Sequence, residues 1–520
     1  MKKKFNITGT CYPHRHYMMD NRAKLSGVMA MIEAGEYFTI NRPRQYGKTT
    51  MLFQLQDILT QDDRYLPIRL DFQGVDEKWH TSDEAFAQMF IQRVHRALRR
   101  KYPELASFLK ALISSVQEMD SLSEAITDLA YEVSQRLVLL IDEVDASSNH
   151  ESFLRFLAML RQKYLDRESP ENKTFHSVIL AGVHDIKSLK LKVRSLGEAQ
   201  YNSPWNIATD FEIEMSFRPH EIAPMLVQYS EAEGVAIDIP LFSEKLYYYT
   251  SGYPFLVSKL CKTIAEKLMP QKEEKRWTLD DLEASVQLLL RENNTNFESL
   301  IKSLERHEAL YKLVYRIIIE GETVAFNPDE PTISLGRLYG VFKENGQVRI
   351  HNRIYEQRLY NYMASKTEIA IGDRYHYTEQ VKTPDRGLDM QMVLDKFQDF
   401  MRLEHSEKDR QFLERHGRLV FLSFLNPILN GRGHTFKEVE VSEERRLDVV
   451  VTYYQHQYVI ELKRWYGPQA HQRGLDQLAD YLDRRQMDQG YLVIFEGRKE
   501  KTWRQEQIRH RGKELFAVWV

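Results

Sequence analysis

Cysteine is nearly absent: Cys11 and Cys261 are the only two in 520 residues, and they stand far apart. That excludes a disulfide framework and a paired-cysteine zinc site, and it fits a reducing, cytoplasmic setting. Long hydrophobic runs are missing too. The longest, such as Leu137 to Ile141, are strand-length, so no membrane-spanning segment is expected. Met1-Lys2-Lys3-Lys4 is basic, but Asn6, Thr8 and Gly9 follow where a secretory signal needs an apolar core. Neither sign of charge dominates: 72 Lys and Arg against 75 Asp and Glu leave a formal net charge of -3. No global field draws the chain onto nucleic acid, so any such contact needs a local basic surface. What remains is an ordinary folded composition, 42% hydrophobic and 28% charged, in a chain long enough for two to four domains.

The first two-thirds alternate short apolar runs with amphipathic stretches, which predicts an α/β domain on a parallel sheet. Strands are predicted at Tyr37–Asn41, Leu66–Asp71, Arg136–Ile141 and Ser177–Ala181, with helices such as Ser82–Arg99 and Ser152–Leu165 between them. The strands are apolar on both faces, as in a sheet covered by helices on both sides. Pro219 to Asn294 reads as mostly helical. His307 to Ser365 reads as helices followed by a hairpin at Glu344-Asn345-Gly346, which suggests a winged-helix unit. Lys382 to Arg386 looks like a linker, and Asp389 to Val520 reads as helix, strands, helix and strand. The expected division is 1–218, 219–380 and 381–520.

Between the first strand and the helix expected near Thr50 lies Arg42-Pro43-Arg44-Gln45-Tyr46-Gly47-Lys48-Thr49-Thr50. Its Gly-Lys-Thr core is the end of a Walker A loop, although Arg42 stands where the first glycine is usual. Amides from Arg44 to Thr50 would cradle the phosphates of ATP, Lys48 would neutralise them, and Thr49 would ligate Mg2+. About a hundred residues later, Leu137 to Ile141 runs into Asp142 and Glu143, the Walker B pattern. Asp142 would hold Mg2+ and Glu143 would polarise the attacking water. His184 and Asp185 are candidate γ-phosphate sensors, and Arg194 and Arg218 candidate arginine fingers, in cis or across a homo-oligomer.

These segments resemble the prokaryotic AAA-like (STAND-type) P-loop ATPases, which also place Arg-Pro-Arg before the Gly-Lys-Thr. The resemblance runs from Phe5-Asn6 and Cys11-Tyr12-Pro13 through Asn202-Ser203-Pro204-Trp205-Asn206 and Gly252-Tyr253-Pro254 to Asn352-Arg353-Ile354-Tyr355-Glu356. It implies an ATP-driven switch or oligomer more than a continuously turning motor.

Near the C-terminus, Asp448 opens one predicted strand, and a hairpin leads to Ile460-Glu461-Leu462-Lys463 on the next. Side chains alternate along a strand, so Glu461 and Lys463 share a face that Asp448 can reach. Two carboxylates and a lysine suit phosphodiester hydrolysis: Asp448 and Glu461 would hold Mg2+, and Lys463 would position or deprotonate water. A half-buried strand with a snorkelling lysine and solvated acids is the competing reading.

The pattern resembles the PD-(D/E)XK nucleases, and Gln477 with Tyr481 on the following helix resembles their RecB-like branch. That likeness gives Gln477 a catalytic role, and a further acid from Glu404, Glu414 or Glu440. Arg445, Arg446, Lys463, Arg464, Arg473, Arg484 and Arg485, with Trp465 and Tyr466 interleaved, could follow a nucleic-acid backbone, DNA more than RNA. The expected fold is therefore an α/β P-loop NTPase with a helical and winged segment, plus a C-terminal α/β PD-(D/E)XK domain. Such fusions resemble bacterial defence or mobile-element proteins. Two functional readings stay open: an ATP-controlled nuclease, and a nucleotide-dependent switch whose nuclease-like part binds without cutting.

Overall fold

A computed structural model describes residues 2–148, 150–183, 205, 207–319, 322–371, 381–403, 417, 420–422, 424–425, 428–429, 433–436, 449–454, 456–465, 467–496 and 503–520. The chain divides into two units. One comprises Met1–Arg306, Phe326–Asn345 and Ile350–Ile354; the other His307–Ala325, Gly346–Arg349 and Tyr355–Val520.

The first unit is built on four strands: β1 (Tyr37–Asn41), β2 (Tyr65–Asp71), β3 (Arg136–Asp142) and β4 (Ser177–Gly182). They pair in the order β1-β4-β3-β2, and every pairing is parallel. The unbroken apolar runs follow from this arrangement, because Val138 to Ile141 and Val178 to Ala181 are fully buried on both faces. Beyond β1 the Thr209 amide donates to the Tyr37 carbonyl at 2.8 Å, and Phe211 stacks on Phe38 at 6.0 Å. The helix Asp83–Leu98 starts where Ser82 accepts the Ala85 amide with its side chain. Its Phe86 and Phe90 meet Phe156 at 5.3 and 4.9 Å. Each such buried ring contributes about 1.5–3 kcal/mol. The helical run after Pro219 forms as predicted, with proline at the first positions of Pro219–Glu233 and Pro254–Thr263.

Strands β5 (Phe342–Asn345) and β6 (Gln347–Ile350) form the expected hairpin, turning at Gly346 with φ 67°.

The second unit carries a six-stranded mixed sheet: β7 (Gly433–Phe436), β8 (Val449–Tyr453), β9 (His456–Arg464), β10 (Gln489–Phe495), β11 (Gln505–His510) and β12 (Lys513–Trp519). Its order is β11-β12-β10-β9-β8-β7. β8 and β9 are antiparallel, whereas β9, β10 and β12 run parallel. The parallel step needs a crossover, which the helix Pro468–Arg484 supplies, burying Leu475, Leu478 and Leu482. Lys382 to Arg386 is not a free linker. Lys382 pairs with Leu388, whose amide donates to the Tyr458 hydroxyl at 2.6 Å, so this loop is fastened to β9.

Candidate functional site

The phosphate loop leaves β1 at Asn41 and enters the helix Lys48–Gln61, two residues earlier than predicted. The early start is a consequence of Gly47, whose φ of 87° completes the turn and lets Lys48 begin the helix. Gln45 also takes a positive φ of 58°. Lys48 is buried, and its ammonium donates to the carbonyls of Arg42 at 2.8 Å and Pro43 at 3.0 Å. Burial lowers its pKa, and Glu143, Asp145 and Asp142 oppose that shift.

Asp142 ends β3 at 2% exposure beside the loop. Burial raises its pKa, while hydrogen bonds from Thr49 and the Glu143 amide pull the other way. Thr49 and Asp142 thus bring two hard oxygen donors together, which fits Mg2+. Glu143 adopts a left-handed φ of 53°, and burial raises its pKa with Lys48 opposing. Arg44 and Thr50 sit differently. The Arg44 charge acts on both Lys48 and Glu143, whereas the Thr50 hydroxyl accepts the Cys11 amide at 3.1 Å.

Five side chains matter here beyond what sequence reasoning said of them. Arg42, noted only as a departure from the glycine pattern, donates to the carbonyls of Asn41 at 2.9 Å and Ile213 at 3.0 Å, bracing the loop base. Asp145 accepts the Val183 amide at 2.5 Å and fixes the end of β4; its signal was a third acid two residues after Glu143. Tyr46 is buried, bonds His351 Nε2 through its hydroxyl at 3.0 Å, and meets the Tyr253 ring edge-on at 4.6 Å. The Tyr253 hydroxyl donates to the Arg44 carbonyl at 2.5 Å. His351 carried no sequence signal, because its partner lies 305 residues away. His184, Asp185 and Arg194 lie outside the described residues. Arg218 is exposed and caps the helix Pro219–Glu233.

An AAA-like domain family matches residues 12–361, well over half of the chain. The chain belongs to the AAA-like domain family. Its phosphate loop and β3 acids are accordingly those of an ATP-binding P-loop ATPase. Among curated proteins, none matches. The AAA-like chain is similar to the Walker-type ATPase PABY2304 of Pyrococcus abyssi at 12% identity and a TM-score of 0.47, over 68% of this chain and 99% of that one. It is also similar to the Aeropyrum pernix ORC2 protein in its ADPNP–ADP complexes, at 12% identity and a TM-score of 0.40, over 70% and 96%. Cdc6p from Pyrobaculum aerophilum is similar at 15% identity and a TM-score of 0.35, over 70% and 89%. Among the described residues, no helix of this AAA-like protein is long and apolar enough to cross a membrane.

The second unit brings three of the C-terminal candidates together. Glu461 on β9 is 1% exposed, and Lys463 Nζ stands 3.3 Å from its carboxylate. Lys463 also donates to the Gln477 side-chain carbonyl at 2.7 Å. Gly474 makes that reach possible: a Cβ there would sit 3.0–3.1 Å from the end of the Lys463 side chain. Tyr481, one turn beyond Gln477, is buried. Asp448, Glu404, Glu414, Glu440, Arg445, Arg446 and Tyr466 lie outside the described residues. Arg473 is exposed, and Arg485 lies 5.7 Å from the Tyr481 ring.

Proposed function

We propose that ATP binding and hydrolysis at the phosphate loop control a metal-dependent DNA nuclease in the C-terminal part. In this reading 1–218 is the ATPase core, 219–380 the helical and winged regulatory region, and 381–520 the nuclease. The observation that carries it is the pair of bonds made by Lys463, to Glu461 at 3.3 Å and to Gln477 at 2.7 Å. A lysine so anchored has few rotamers left and can position a water. Glu461 and Asp448 would hold Mg2+, which when bound neutralises charge developing on a phosphodiester and makes its water more acidic. In the ATPase part, Lys48 and the loop amides hold the phosphates, Thr49 and Asp142 hold Mg2+, and Glu143 orients the attacking water. The partner in this reading is DNA, the working form is a homo-oligomer, and the setting is bacterial defence or mobile-element biology.

One observation favours a second reading, a nucleotide-dependent switch that grips nucleic acid without cutting. Glu461 is almost wholly buried and already has the Lys463 ammonium as its counter-charge, so the pair can stand as a structural ion pair without a metal. The two readings separate in one assay. Plasmid, linear duplex and single-stranded DNA are incubated with Mg2+ or Mn2+, with and without ATP. An ATP-controlled nuclease cuts, loses cutting in Asp448→Ala and Lys463→Ala, and changes its ATP response in Lys48→Ala. ATP hydrolysis with no cleavage of any substrate establishes the switch instead.

A further inference from the structure

The parallel sheet of the first unit has a second functional-looking end. The phosphate loop follows the C-terminal end of β1, but the N-terminal ends of β1, β3 and β4 border a cavity of about 360 Å3. Its wall comes from the turn before β1 (Ala34 and Gly35), the start of β3 (Ser134 to Leu137) and the approach to β4 (Lys173 to His176). Three cations line it: Arg136, Arg167 and Lys173. Arg167 is held in place, donating to the Gly35 carbonyl at 2.6 Å with its guanidinium 4.1 Å from the Tyr164 ring. Its ion-pair partner Glu168 is 3.8 Å away and 92% exposed, so solvent screens most of that charge. Arg136 and Lys173 are exposed lining residues. Three cations against one lining acid, Glu168, raise the local potential for an anion.

The cavity also has a polar floor and an apolar rim. His176 is tethered to the backbone of Ile32 and Glu33, and its Nε2 is buried with no hydrogen-bond partner among the described residues. Burial, then Arg136, lowers the pKa of this histidine, leaving a neutral ring whose Nε2 accepts a proton donor. At the rim, Lys173 Nζ lies 4.9 Å from the ring of Tyr131. Tyr131 at 54% and Leu165 at 55% are the most exposed large apolar side chains of the described residues. They end the two helices that lead into the lining segments.

We propose that this cavity is a second ligand site, for a phosphorylated small molecule with a flat ring, of nucleoside-monophosphate size. Arg136, Arg167 and Lys173 take the phosphate, His176 accepts an N–H or O–H, and Tyr131 offers a face to the ring. The volume falls within the usual range for small-molecule pockets, about 300–1,000 Å3.

The test is calorimetric titration of the full chain, its phosphate loop saturated with a non-hydrolysable ATP analogue, using AMP and then inorganic phosphate as probes. AMP should bind, and phosphate should compete with it. Arg136→Ser and Lys173→Ser, both exposed positions, should each weaken AMP by about tenfold or more without moving the melting temperature. Lys48→Ala should leave AMP binding intact. No AMP binding, or full binding in the Arg136→Ser/Lys173→Ser double variant, overturns the site. So does loss of AMP binding in Lys48→Ala, which would assign it to the ATP site. Displacement of AMP by a short single-stranded oligonucleotide at lower concentration than AMP itself would replace the proposal with a nucleic-acid groove.

Discussion

Lys48 shows how much one buried charge can carry. Its ammonium sits at 6% exposure, supported by two loop carbonyls and three nearby acids. Lys48→Ala should weaken ATP by at least about tenfold, the worth of one charge-assisted contact, read by titration calorimetry. Glu143→Gln should keep ATP bound yet lower turnover about 10²–10⁴-fold, read by steady-state phosphate release. Under the proposed role the Glu143 carboxyl must be ionised; burial raises its pKa, so hydrolysis should fail on the acid side earlier than an ordinary glutamate would dictate. His351 makes a separate contribution to stability. Burial pushes it down to about 4 from 6.5, so the unfolded chain takes up the proton first. Stability is therefore full above pH 6.5 and is lost as pH falls toward 4, by up to ~3 kcal/mol. Urea unfolding at several pH values should show this slope, and His351→Gln should flatten it.

Among the elements, the phosphate loop is held from behind as well as from its own strand and helix. Tyr253, at the start of the helix Pro254–Thr263, grips the Arg44 carbonyl, and Gly340 lies against Pro43. Gly340 has φ +70°, and a Cβ there would stand 2.6 Å from Pro43 Cγ. Gly340→Ala should therefore displace the loop, the clash costing about 1–3 kcal/mol on top of left-handed strain, and weaken ATP together, as thermal shift with and without nucleotide would report. Gly346 is the control. It has φ +67° but open space around its Cβ position, so Gly346→Ala should cost only left-handed strain of about 1–2 kcal/mol and leave ATP affinity alone.

For the whole molecule, Arg218 bears on self-assembly. The guanidinium of this exposed residue donates to the Tyr247 hydroxyl at 3.4 Å, a long bond that it would exchange to serve a neighbouring ATP site. If the working form is a homo-oligomer completed in that way, mixing Lys48→Ala chains with Arg218→Ala chains should restore part of the ATPase activity that each lacks. Light scattering should then show self-association with ATP. No recovery in the mixture would mean that the site is completed within one chain.

Legibility differed sharply along this chain, for physical reasons. The four core strands were readable to within a residue at either end, because a parallel sheet buried on both faces demands unbroken apolar runs. Gly47-Lys48-Thr49 and Asp142-Glu143 were readable because phosphate and Mg2+ restrict which side chains can serve at a strand end. So was the Glu461–Lys463 pair, since alternation along a strand puts both on one face. The linker at Lys382 to Arg386 was misread, because turn residues look alike whether or not a hydroxyl such as that of Tyr458 fastens them. Local periodicity and motif spacing thus determined the sheet, the Walker-type loop with its strand-end acids, and the acid–lysine strand. Only the tertiary structure decided that Arg42 braces the loop base, that Tyr46 leans on Tyr253 and His351, and that Arg136, Arg167 and Lys173 converge on one cavity. Those pairings join residues far apart in sequence, and no local pattern encodes which distant side chains a fold will bring within hydrogen-bond reach.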